Sequence, residues 1–128
     1  MTYRGALVAL ALALACTGGV ASAHHSGAMF DRSKKTTLKG TIKEFIWTNP
    51  HTWVTLVVTT DAGATEEWGL EGGSPNILAR ADLRWNGHVM KPGDAVVMTI
   101  SPVRDGRKMG VMESVVLSDG VEMKFSGL

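Results

Sequence analysis

The chain is short of cysteine, with one in 128 residues. That residue, Cys16, sits inside an apolar run near the start, so no disulfide framework is available to the rest. No excess of either charge exists: 13 Lys and Arg stand against 12 Asp and Glu. A chain this balanced has no general pull toward nucleic acid, and a nucleic-acid partner is not expected. No apolar run reaches the roughly 20 residues of a membrane-spanning helix. The familiar enzyme signatures are missing too. No nucleophile elbow, phosphate loop or dinucleotide fingerprint occurs, and cysteine catalysis has no residue to use after position 16. The expectation is a protein that is not an enzyme.

What is present begins with an export pattern. Arg4 precedes the apolar run Ala6–Cys16, and Val20-Ala21-Ser22-Ala23 has the small-x-small form of a cleavage site. Residues 1–23 therefore read as a signal peptide, and the product as periplasmic or secreted without a membrane anchor. Lipidation at Cys16 fits poorly, because Ala13-Leu14-Ala15 lacks the usual leucine three residues before the cysteine. Cleavage would leave 105 residues with 12 basic and 12 acidic side chains, enough for one domain.

Residues 24–35 read as a flexible polar lead whose Met29 and Phe30 can tuck against the domain. Residues 36–128 read as a single β-barrel. Leu38, Gly40 and Ile42 alternate with polar residues over 36–47, and the alternation slips near Glu44-Phe45-Ile46, the mark of a bulge. Further strands are expected at 52–60, 65–71, from 95, at 109–117 and at 121–125. Ser74-Pro75 opens a short helix to about Leu83, with Ile77, Leu78 and Ala81 inward. Residues 84–90 read as a loop. Strand, strand, strand, helix, strand, strand is the order of an OB-like barrel of five to six strands, mainly β. A generic small barrel or sandwich is the alternative. The expected interior is Leu38, Ile42, Val54, Leu56, Val58, Val96, Met98 and Ile100.

The chemistry-bearing residues are few. His24-His25 follows the cleavage site, where a freed α-amino group and imidazoles supply a nitrogen-rich set suited to copper(II). A cut after Ser22 would place a histidine third, another copper-capable terminus. The plain alternative is a polar tail. His51, between two strands, and Glu71, at a strand end, are candidate further metal ligands. Trp47 and Trp53 are candidates for a ligand or partner face, whereas Trp68, Met98, Met109 and Met112 read as packing residues, and His88 as exposed.

The runs His24-His25-Ser26-x-Ala28-Met29-Phe30-Asp31, Phe45-x-Trp47-Thr48-Asn49-Pro50-His51, Glu67-Trp68-x-x-Glu71-x-x-Ser74-Pro75-Asn76 and Lys91-Pro92-Gly93-Asp94 are similar to an uncharacterised family of small exported bacterial proteins, domain-of-unknown-function family 6152. The chain departs from that pattern over Ala81–Met90, where Trp85 comes later than the family's Gly-Trp pair. At the level of architecture it also resembles periplasmic copper chaperones of efflux systems, small barrels using His, Met and Trp. Two functions follow as expectations: a periplasmic binding protein for copper or another transition metal, or a non-enzymatic adaptor docking another cell-envelope protein.

Overall fold

The computed structural model describes residues 27–125. A 3-10 turn, Gly27–Met29, opens this stretch. Strands β1 (Thr36–Ile46), β2 (Trp53–Thr59) and β3 (Thr65–Glu71) follow, then helix α1 (Pro75–Ala81). Strands β4 (Ala95–Pro102), β5 (Met109–Val116) and β6 (Glu122–Lys124) complete the chain order. The sheet runs β3-β2-β1-β4-β5-β6, and a parallel pairing of β3 with β5 closes the first five strands into a barrel. This is the OB-like arrangement expected from the element order, with one helix and an added sixth strand. The expected leader, residues 1–23, lies outside the described residues.

Alternation decides which way each strand faces. Along β2, Val54 and Leu56 are fully buried, while Trp53, Thr55 and Val57 are half-buried on the outer face. Along β1 the ladder to β2 shifts between Ile42 and Glu44, leaving Lys43 as the extra residue of a bulge. The bulge lies at Lys43, just ahead of where the pattern was expected to slip. It reverses the phase of the strand. Phe45 and Trp47 therefore pack on the core, and Ile46 is turned outward.

The expected interior residues all join the main core, Val58 at its partly buried margin. The helix is shorter than the sequence suggested and buries less. Ser74 caps it through a bond from the Ile77 amide, and Asp82 ends it by donating its amide to Leu78. Pro75 and Leu78 form its buried row. Ile77 and Ala81, expected inward, are exposed. Seven residues make about two turns, and a helix plugging a barrel end presents only one narrow row to the core.

The loop at 84–90 carries more of the core than its polar sequence implied. Trp85 and Met90 are each 2% exposed. Trp85 donates its indole hydrogen to the Lys124 carbonyl at 3.1 Å. Phe125 packs against its ring, and Trp47 stacks on it at 6.5 Å.

The lead is tied down from Gly27 onward. Phe30 bridges to Val103 and is buried with Val103 and Val111, and Met29 and Met109 pack beside them. The Asp31 amide donates to Pro102, and the Arg104 amide to Met29.

Candidate functional site

In an OB-type barrel, ligands meet the outer face of the second and third strands and the loops joining strands 1–2 and 4–5. Here that face begins with register. Trp53 lies opposite Glu71, and Thr55 opposite Gly69. Opposed residues share a face, so all four look outward. A β-carbon at Gly69 would lie 2.6 Å from the Trp53 ring. The ring thus rests on bare backbone, and glycine is needed for that approach.

The loop from β1 to β2 brings His51 to the same place. Its Asn49–Pro50 peptide is cis. Beyond the ends of the β2–β3 ladder, Thr52 continues the pairing: its amide donates to Gly73, and its carbonyl accepts from the Gly72 amide. The Thr52 hydroxyl donates to Gly73 as well, at 3.0 Å. This latch fixes His51 beside the end of β3.

His51 Nδ1 lies 3.1 Å from a Glu71 carboxylate oxygen and 3.3 Å from the Gly72 carbonyl. Both neighbours are acceptors. In the neutral ring Nδ1 therefore carries the hydrogen, and Nε2 keeps a free lone pair. The Glu71 side chain is 13% exposed and that of His51 45%. The carboxylate is the seated partner and the imidazole the accessible one. Sequence reasoning treated His51 and Glu71 as equivalent ligand candidates; the geometry gives them different tasks. Glu71 holds the ring at Nδ1, and the His51 ring is the more exposed of the two.

The lead reaches this face from the other side. Glu71 is paired in parallel register with Val111, whose side chain lies under Phe30. Arg104 adds a bond from its guanidinium to the Ala28 carbonyl at 3.2 Å and an ion pair to Asp31. The Ser33 hydroxyl, with Arg104 and Lys34, holds the Asp31 carboxyl below its ordinary range against the cost of burial.

The other candidates disperse. Trp47 leaves this face and stacks on Trp85. His88 is exposed in the 84–90 loop. Met98 and Met112 are buried in the core, and Met109 packs in the cluster beneath the lead. Trp68 sits at the core margin under the Lys108 ammonium. His24 and His25 lie outside the described residues. Among the described residues, no three of His, Cys, Asp and Glu gather closely enough to hold a metal ion. No helix among them is long and apolar enough to cross a membrane. Two contributors went unread in the sequence, Gly69 and Arg104. A glycine inside a strand is a legible sign of close backbone approach; the lead latch of Arg104 has no local signal.

The model of a family of unknown function, DUF6152, matches residues 11–113. The chain belongs to this family. The match spans β1 to most of β5 and takes in His24, His25, His51 and Glu71. No curated protein matches this DUF6152 member. Among solved structures, a mitochondrial single-stranded DNA binding protein of S. cerevisiae is similar at 16% identity and a TM-score of 0.44, over 73% of this chain and 97% of that one. At that distance the likeness carries nothing to this chain's ligand.

Proposed function

We propose that this chain is an exported, non-enzymatic binding protein for a late transition metal ion, copper before others. The observation that supports it is the His51–Glu71 pair. A histidine that binds a metal through one ring nitrogen commonly donates the other N–H to a carboxylate or carbonyl, which fixes the tautomer and strengthens the donor. His51 has both such acceptors at Nδ1, and its side chain is 45% exposed.

One imidazole is too few, and the remaining donors in this reading come from the N-terminal side. The leader pattern over residues 1–23 would free an amine on His24. Phe30, anchored on Val111, is five residues after His25. Five residues span at most about 18 Å. That reach is compatible with the amine, His24 and His25 joining His51 in a nitrogen-rich set, the environment copper(II) favours. All four groups must be unprotonated to coordinate, so affinity falls as the solution is acidified.

Copper titration of protein recovered after export tests this. One tight equivalent is expected, lost with His24→Ala and His25→Ala together or with one residue added before the mature terminus. His51→Ala should weaken it strongly. Equal, weak binding by all of these forms would remove the metal reading. The adaptor reading would then stand, because Ile46, 38% exposed, and the half-buried Trp53 share the outer face.

A further inference from the structure

Six of the chain's 13 basic residues are gathered at one rim by the tertiary fold. Residues 31–35 and 104–108 are ten positions in two segments about seventy residues apart. They contain Arg32, Lys34, Lys35, Arg104, Arg107 and Lys108, six of the 13 Lys and Arg residues, but only two of the 12 acids. The Phe30–Val103 bridge and the Asp31–Pro102 and Arg104–Met29 backbone bonds hold the segments side by side.

The cations point to water. Arg32 is exposed, and the other five side chains are 49–72% exposed. Four carboxylates share them. Asp31 meets Arg104 and Lys34, Asp105 meets Arg107, Glu113 meets Lys35 and Glu66 meets Lys108. Six against four leaves the rim positive in a chain whose overall charge is +1. On the cation side these pairs are open to water even where the carboxylate is not, and ion pairs screened in that way contribute little, so the cations can turn to other anions.

The apolar groups of the rim are spent inside it: Phe30, Val103 and Val111 are buried. The exposed large apolar residues among those described, Ile46, Ile77 and Leu83, lie on other elements. Protein interfaces draw their energy from apolar and aromatic anchors at their centres. This rim offers charge without such anchors, which suits a diffuse anionic surface better than a protein partner.

We propose that the paired lead and β4–β5 loop, residues 31–35 and 103–108, form a basic rim that docks the protein on anionic phospholipid. The proposal is independent of copper. Each basic residue near an anionic leaflet adds roughly fivefold to partitioning, and salt screens the effect.

The test is co-sedimentation of the protein, as recovered from exporting cells, with large vesicles. One set contains phosphatidylglycerol with phosphatidylethanolamine, and the other phosphatidylcholine alone. Binding is expected to the anionic set at about 0.05 M salt and to fade by about 0.5 M, where the screening length is a few ångströms. The variant R32Q/K34Q/R107Q, which leaves the Arg104 and Lys35 contacts in place, should bind at least about tenfold more weakly. K39Q/K91Q/K124Q, with the same loss of charge elsewhere on the surface, should lose less than about threefold. Thermal melts must show both triples folded; if the rim triple is not, single variants of Arg32 and Lys34 give the same comparison. Three results would overturn the proposal: no binding to anionic vesicles, equal loss in the two triples, or tighter binding to duplex DNA at matched salt.

Discussion

Strands β2 and β3 carry two different regions on their two sides. Inside, Val54, Leu56 and Leu70 are fully buried, and the core they begin extends to Trp85 and Phe125. Outside, one residue along in each case, stand Trp53, Gly69 and Glu71, with His51 latched alongside. The interior is held by area removed from water, which is tolerant of which apolar residue supplies it. The outer face is held by register and a few directed bonds, which tolerate almost no change of identity. Stability should therefore respond to the inner set, and binding to the outer one.

The largest effect is expected from Val54→Asp. It places an unpaired charge at a position with no exposure. The loss should exceed about 4 kcal/mol, and denaturant titration should find no folded baseline. A cooperative, near-normal unfolding curve would break the distinction between the two faces.

Trp85→Ala comes next. It empties a 2% exposed site between Trp47 and Phe125 and removes the bond to Lys124. Destabilisation by about 3–5 kcal/mol is expected from the same measurement. Copper binding at temperatures where the variant is folded should be unchanged.

Glu71→Gln reverses the pattern. Stability should move little, because the amide can still accept from His51. Copper affinity should fall about tenfold to a hundredfold, the usual consequence of weakening the partner that orients a ligating histidine. If competition titration shows complete loss, Glu71 is itself a ligand and the division of tasks with His51 is wrong.

Trp53→Ala should cost about 1 kcal/mol, the scale of a cross-strand contact on a half-exposed sheet face. It is the same residue type as Trp85 with a fraction of the effect. An equal loss for both would place Trp53 in the core.

The smallest effect concerns acid. The Asp31 carboxyl is held below its usual value, chiefly by the Ser33 hydroxyl and then by Arg104. A depressed carboxylate adds stability that is present above the unfolded value and is lost as pH falls through and below about 4. Asp31→Asn should lower stability slightly near neutrality and flatten the acid limb of a stability–pH curve, so that the difference closes below about pH 4. A change confined to alkaline pH would contradict this assignment.

Much of the barrel is legible in the residue pattern alone. Alternation over 53–59 marks Val54 and Leu56 as inward, and Ser74-Pro75 marks the helix start, because these signals are local to a strand or a turn. The same rule fails for Ile77 and Ala81, where the helix is too short to bury a full stripe. It fails for Trp85, whose polar neighbours hide a core residue. The sequence offers Trp47 and Trp53 together as candidates for a ligand or partner face. The bulge at Lys43 reverses the phase of β1, and the loop carries the chain round to β2, so the two rings end on opposite sides of the wall.

Local pattern suffices for the strands, the place of the helix, the strand-borne interior of the barrel and the residue types able to hold a metal. Periodicity, caps and turn residues act over a few neighbours, so one dimension suffices to read them. Folding in three dimensions brings His51 to Glu71 through Nδ1, lays Trp53 on Gly69, and joins residues 31–35 to 104–108 in one basic rim. Each of these joins segments 16 to more than 70 residues apart in the chain. Such meetings are fixed by strand register, by the parallel closure of β3 on β5 and by the docking of the lead, which no local pattern encodes.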